Sequence, residues 1–220
     1  ASATLVRTTL ESGEIARLGV TTFPTFYIDF DGKKAGCADD VECLLRRLRV
    51  EGIDGLVLDL RSNGGGSLSE ARRMAGLFIG EGPVAQVKDA TGKINVLGSG
   101  MRAPAYSGPL VVLTDKNSAS ASEILAGALQ DTNRAVIVGQ SSTFGKGTVQ
   151  QTRGIDSVMP FFAANPRAGT LKLTIQKFYL PDGHSTQLNG VVPDIVLPSI
   201  DDLLPVGEKD LTRALIWDEI

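Results

Sequence analysis

Residues 55–60, Gly55-Leu56-Val57-Leu58-Asp59-Leu60, form a nearly unbroken apolar run. A strand with one wet face would alternate, so this run predicts a strand covered on both sides. It leads into Asn63-Gly64-Gly65-Gly66 and then into Leu68, Ala71, Ala75 and Phe78, which mark one side of a helix that stops near Gly80-Glu81-Gly82-Pro83. Strand, glycine loop and helix make a βα unit. The pattern recurs: 109–114 is a second buried strand, Ala121, Ile124, Leu125 and Ala128 mark a helical face, and 134–139 returns as strand. Upstream, Val41, Leu44, Leu45 and Leu48 fall at i, i+3, i+4, i+7, with Arg46, Arg47 and Arg49 off that face. The order predicts an α/β architecture.

Other stretches are less regular. Residues 25–30 are β-branched and aromatic and end at Asp31-Gly32, which predicts a strand and a turn. Residues 147–152 and 170–180, the latter with alternating Leu171, Leu173 and Ile175, add sheet, the second antiparallel or at an edge. Residues 153–168 have no clear period and read as a loop over the site. No internal repeat or low-complexity linker divides the chain, and 220 residues at 42% hydrophobic content fit one domain, 1–220.

Charge narrows the partners. Twenty-two basic against twenty-five acidic side chains give a net charge of −3 without a basic, aromatic-interleaved cluster, which argues against nucleic acid. No run approaches the roughly 20 apolar residues of a membrane helix, and Ala1-Ser2-Ala3-Thr4 lacks the features of a signal peptide, so a soluble, processed or excised chain is expected. Cys37 and Cys43 are too few for a disulfide framework, and a single histidine, His184, leaves no convincing metal set. The expectation is two reduced thiols, a bridge being open only if Cys37 precedes the helix.

Two segments can carry chemistry. Asn117-Ser118-Ala119-Ser120-Ala121-Ser122-Glu123 sits between a buried strand and a helix, where a sharp turn exposes one side chain beside free backbone N–H groups. Ser120 there is either a nucleophile or, with Glu123 three residues on, one half of a capping box. A nucleophilic serine needs a base. His184 lies in a polar turn, the setting of a surface histidine, whereas Lys146 is flanked by glycines in Thr143-Phe144-Gly145-Lys146-Gly147-Thr148, where its ammonium can be desolvated. A phosphate loop fails there, because five residues separate Gly139 from Gly145-Lys146 and glycine follows the lysine. In an acyl-transfer site Gly65 or Gly66 could donate one N–H to an oxyanion and Ala121 the second; Gly64-Gly65-Gly66 alone is equally a flexible turn.

Asp59-Leu60-Arg61-Ser62-Asn63-Gly64-Gly65-Gly66, Ser118-Ala119-Ser120-Ala121-Ser122-Glu123-Ile124, Thr143-Phe144-Gly145-Lys146-Gly147 and Gly190-Val191-Val192-Pro193-Asp194-Ile195 together resemble, in order, the tail-specific or C-terminal processing proteases. The resemblance implies a crotonase-like, ClpP-like core, Ser120 as nucleophile, Lys146 as general base, and Gln150 as the residue that hydrogen-bonds the lysine. Asp131 also matches a family position and takes a supporting role, since a carboxylate too near Lys146 would raise the pKa that catalysis needs lowered. The resemblance implies polypeptide substrates (C-terminal tails and unfolded proteins), no cofactor, and a periplasmic or otherwise exported setting. Members carry a PDZ domain before this core and some a helical extension after it; neither is evident in 1–220. Two departures stand out: the lysine loop is one residue longer than usual, and His184 stands where glycine is common. The alternatives are a non-catalytic peptide- or ligand-binding module, because the same fold serves in retinoid-binding proteins, or a core inactive in isolation.

Overall fold

The computed structural model describes residues 1–29, 35–155 and 169–220. The two βα units fold as their apolar runs predict. β3 (Gly55–Asp59), β6 (Leu110–Thr114) and β7 (Val136–Gly139) lie side by side and parallel. β2 (Ile15–Thr22) adds to β3 in parallel, β1 (Ser2–Thr9) closes that side antiparallel to β2, and the short β10 (Ile195–Val196) pairs in parallel with β7. The sheet order is β1-β2-β3-β6-β7-β10.

Each parallel crossover steps in the same direction across this sheet. Right-handed connections therefore bring α1 (Cys37–Val50), α2 (Leu68–Ile79) and α3 (Ala121–Asp131) to one face, where α1 packs on α2 and α2 on α3. Val41, Leu45 and Leu48 of α1, Met74 and Phe78 of α2, and Leu125 and Leu129 of α3 are buried in one core with Leu56, Leu58 and Val112 of the strands. Arg46, Arg47 and Arg49 are exposed, as the helical period requires. Cys37 is the first residue of α1 rather than a residue before it; it is buried, Cys43 is exposed, and both thiols are free.

A second, wholly antiparallel sheet has the order β5-β4-β9-β8, from β4 (Pro83–Asp89), β5 (Ile94–Gly98), β8 (Thr148–Gly154) and β9 (Thr170–Tyr179). β4 packs against α2 and α3. β9 is antiparallel, as expected, and lies inside the sheet between β4 and β8 instead of at its edge.

One expected strand is corrected. Residues 25–29 hold a single isolated bridge, Phe26 to Gly66, because Phe26 pairs with the glycine loop, which offers no further extended residues. Phe30 and the expected turn at Asp31-Gly32 lie outside the described residues, as does 156–168, most of the expected loop over the site; 153 and 154 belong to β8. The β1–β2 and β4–β5 pairs are additions that hydrophobic periodicity did not mark.

Candidate active site

Small residues let two corners meet. After β6, the Ser118 hydroxyl donates to the Leu60 carbonyl at 2.8 Å, the Ala119 N–H to the Asn63 carbonyl at 3.1 Å, and the Ser122 hydroxyl to that same carbonyl at 2.7 Å. The turn before α3 is thereby fastened to the loop after β3. At its apex Ser120 has φ 57° and ψ −110°, a conformation that costs a residue with a Cβ about 1–3 kcal/mol and persists only where its surroundings impose it. Ser120 and Glu123 stand in capping-box register, but the hydrogen bond that forms is the carboxylate's: Oε2 accepts the Ser120 N–H at 2.6 Å, and the serine hydroxyl makes no capping hydrogen bond.

The glycine loop comes up against this apex. A Cβ on Gly65 would lie 2.6 Å from the Ala119 carbonyl oxygen and 2.9 Å from the Ser120 Cβ, so only glycine permits the approach, and its φ of 97° agrees. Buried Asn63 holds the loop, donating from Nδ2 to the Phe23 carbonyl and accepting the Gly65 N–H on Oδ1 at 3.0 Å. Of the three expected oxyanion donors, Gly65 is thus already engaged. The N–H groups of Gly66 and Ala121 have no hydrogen-bond acceptor among the described residues, and both residues line one cleft.

Lys146 lines that cleft from the other side. Gly145, with φ 92° and no room for a Cβ against the Leu188 backbone, brings the loop in close. The lysine side chain is half-buried and donates to Gln150 Oε1 at 3.1 Å, as the resemblance implied. Its pKa is lowered, first by burial and then by the neighbouring Lys172 ammonium, against weaker opposing effects of Glu208 and Glu123. Ser120 and Lys146 share a cavity of about 550 Å³ floored by Leu68, Ile124 and Phe178; no hydrogen bond joins Ser120 Oγ to Lys146 Nζ in this structure.

Glu123 connects the two halves. It is fully buried. Oε2 accepts the Ser120 and Lys146 backbone N–H groups at 2.6 and 3.0 Å, while Oε1 accepts the Thr143 hydroxyl and the Gly145 N–H at 2.6 and 2.7 Å. Burial pushes its pKa up to about 7, with these four donors pulling the other way. The sequence assigned Glu123 only a cap; the available signal was a glutamate at the third helical position with no lysine or arginine a turn away.

The model of peptidase family S41 matches residues 17–197, most of the chain and all four motifs. The chain belongs to peptidase family S41. Over 212 residues it is 44% identical to the tail-specific protease of Haemophilus influenzae, a match covering 96% of this chain and 29% of that protein. A carboxyl-terminal-processing protease of Synechocystis sp. is 36% identical over 171 residues, covering 78% of this chain and 37% of that protein. Among solved structures, a photosystem II D1 C-terminal processing protease superposes with a TM-score of 0.69 at 27% identity, over 89% of this chain and 48% of that one. The chain thus spans 29% and 37% of the length of the two sequence relatives.

Within this S41 fold, two of the residues singled out from sequence stand apart from the cleft. Asp131 ends α3, eleven residues long and opened by Ser120 at its other end; its Oδ2 accepts the Asp182 N–H at 3.1 Å. His184 is exposed, paired through Nδ1 to Asp182 at 2.6 Å and stacked on Trp217. The fourth motif backs the lysine loop: the Val191 carbonyl accepts the Thr143 N–H at 3.1 Å, and Thr143 Oγ1 accepts the Val191 N–H at 2.8 Å. The lysine loop is held by the segment that follows this motif, through Gln140 to Ser199 and Ser141 to Asp202, and Lys146 reaches the cleft. Among the described residues no group of His, Cys, Asp and Glu could hold a metal ion.

Proposed function

We propose that this chain is the catalytic core of a serine endopeptidase that cleaves near the C-terminus of unfolded or tail-tagged polypeptides, with Ser120 as nucleophile and Lys146 as general base. One observation carries the reading. Ser120 is held in a strained turn at the head of α3, with its hydroxyl uncommitted to capping, in one cleft with the Gly66 and Ala121 N–H groups, which have no acceptor among the described residues, and a half-buried lysine that has no carboxylate ion-pair partner among them. The Haemophilus influenzae and Synechocystis relatives carry tail-specific and carboxyl-terminal-processing names, which supports the substrate class.

Neutral Lys146 takes the Ser120 Oγ proton as the oxygen attacks the peptide carbonyl. The tetrahedral oxyanion is met by the Gly66 and Ala121 N–H groups, close to the positive end of α3. Collapse breaks the C–N bond, and the Lys146 ammonium returns its proton to the departing amine, leaving an acyl-enzyme on Ser120. Water then attacks the ester with Lys146 again as base, releasing the carboxylic acid and restoring the serine. Gln150 orients the amine by accepting one of its hydrogens, and as a neutral amide it does so without raising the lysine pKa as a carboxylate would. The apolar floor of Leu68, Ile124 and Phe178 accommodates an aliphatic side chain beside the scissile bond. The chemistry uses no cofactor.

The test is cleavage of an unfolded reporter protein followed by mass spectrometry between about pH 6 and 10, comparing the chain with Ser120→Ala and Lys146→Ala. Turnover that rises with pH, with its midpoint below the ordinary lysine value, and that either substitution abolishes is the expected result. Binding of the reporter without any cleavage by the parent chain would favour a binding module on the same fold.

A further inference from the structure

The charge of the cleft differs in sign from that of the molecule. The chain as a whole is acidic, with a net charge of −3. Yet the charged residues lining the cleft, among those described, are Lys146 and Lys172, and no carboxylate lines it. Among the described residues neither forms an ion pair; the lysines that do are Lys116 with Asp202 and Lys177 with Asp218. Glu123, the nearest buried acid on the α3 side, spends both oxygens on backbone N–H groups and a hydroxyl.

The two lysines are not equivalent. Lys146 is half-buried, bound to Gln150, and must lose its proton to act as base. Lys172 sits on β9 opposite Thr152 of β8, is exposed, and looks into the cleft over the same two-stranded ribbon that carries Gln150. Uncompensated charge at the rim of a cleft with an apolar floor is a recognition element for the opposite charge, because the low-dielectric wall weakens screening on one side.

We propose that Lys172 is a specificity-determining residue that recognises a carboxylate of the bound polypeptide, lying along the β8–β9 wall within a few residues of the carbonyl presented to Ser120. The inference rests on the peptidase reading of the same cleft. The carboxylate is supplied either by an Asp or Glu side chain or by the C-terminus of the substrate. Lys172 also helps hold down the pKa of Lys146, so a carboxylate seated on it would weaken that effect. Acidic substrates should therefore be cut with a pH profile displaced upward from that of neutral ones.

The experiment separates binding from turnover by using the Ser120→Ala chain, with labelled peptides of about ten residues followed by fluorescence anisotropy. One peptide carries an internal Asp and an amidated C-terminus, a second an internal Asn and a free C-terminus, and a third an internal Asn and an amidated C-terminus. At least one carboxylate peptide should bind roughly three- to five-fold more tightly than the neutral one at low salt, the size of an exposed charge pair. Which of the two does so identifies the source. The preference should vanish in Ser120→Ala/Lys172→Gln, reverse in Ser120→Ala/Lys172→Glu, and fade in about 0.5 M salt. Equal binding of all three peptides, a preference that survives Lys172→Gln, or no binding of any peptide at millimolar concentration overturns the inference. A parent chain with intact Ser120 that shows the preference but never cleaves would sink the peptidase reading and leave Lys172 as a carboxylate site.

Discussion

α2 and α3 begin with the same signature, a serine at the N-cap and a glutamate three residues on, and both glutamates are buried. At α2 the signature is a cap. Ser67 has ordinary extended dihedrals and its hydroxyl accepts the Glu70 N–H. Glu70 in turn pairs with Arg73 at 3.0 Å and accepts the Ala38 N–H of α1 at 2.9 Å, so a charged network of Glu70, Arg73 and Asp39 locks two helix starts together. At α3 the backbone is turned to φ 57°, the hydroxyl is released, and Glu123 meets only neutral donors. A cap becomes a candidate active site when the backbone strain is present and the cation is missing. A second carboxylate beside Glu123 would raise the Lys146 pKa that the base needs lowered.

The largest effect expected from this contrast is at Glu123. Glu123→Gln replaces one acceptor oxygen by an NH₂ that faces N–H donors, so either the Ser120 and Lys146 amides or the Thr143 and Gly145 donors lose their partner. Misplacing nucleophile and base by about an ångström costs on the order of 10²-fold, and we expect that loss in kcat with KM little changed, read on the reporter-cleavage assay. The pH dependence of stability has a definite sign. The folded pKa of about 7 lies above the ordinary carboxyl value of 4.5, so this group's contribution is fully present below 4.5 and is lost as pH rises through 7. Urea melts at pH 5 and pH 8 should therefore differ less in Glu123→Gln than in the parent. A variant with parental kcat would reduce Glu123 to another Glu70.

Next in size is Gly65→Ala. The new methyl would meet the Ala119 carbonyl and the Ser120 Cβ at a backbone φ of 97°, pushing the glycine loop away from the nucleophile turn. We expect a loss of about 1–3 kcal/mol in denaturant unfolding, with a roughly ten-fold fall in kcat measured on the folded fraction. Lost stability with unaltered turnover would show that the Gly66 N–H keeps its place without this close approach.

What the chain disclosed in advance follows from range. Leu56, Leu58, Val112 and Leu125 report their own burial, so period and apolar runs gave the βα units. Ser120, Lys146 and Gln150 were reached through ordered motifs, and the structure brings them into one cleft. Phe26 misled because its β-branched and aromatic neighbours describe a strand, while its actual partner is a glycine 40 residues away. Glu123 was seen as a local cap because three of its four donors, Thr143, Gly145 and Lys146, lie 20 to 23 residues along the chain. The split between Gly65 and Gly66 as donors depends on where the Asn63 amide points, which spacing does not encode.

A smaller change, in stability alone, is expected at the other helix start. Glu70→Gln keeps an acceptor for the Ala38 N–H but leaves Arg73 only Asp39, and Arg73 is nearly half exposed, so water covers part of the loss. About 1–2 kcal/mol of stability should go, with kcat per folded molecule unchanged. Lost activity at full stability would mean that α2 transmits to the site through Ser67 and the glycine loop, and the two helix starts would no longer be separable.

The smallest effect belongs to Asp131→Asn. Eleven helical residues at 1.5 Å each place Asp131 about 16 Å along α3 from Ser120, beyond direct contact with the cleft. Its carboxylate, half-buried and raised in pKa first by that burial, accepts the Asp182 N–H in the turn that carries His184. Asparagine retains an acceptor oxygen of the same reach, so stability should fall by no more than about 1 kcal/mol and kcat/KM by less than about three-fold. Because Asp131 also helps raise the His184 pKa, the histidine should titrate at slightly lower pH in the variant, visible by NMR and without consequence for cleavage. If Asp131→Asn instead silenced the chain as completely as Ser120→Ala, the charge at the far end of α3 would have to act on the chemistry through the helix itself. The contrast between a structural carboxylate and a site carboxylate would then have to be redrawn around Asp131 rather than Glu70.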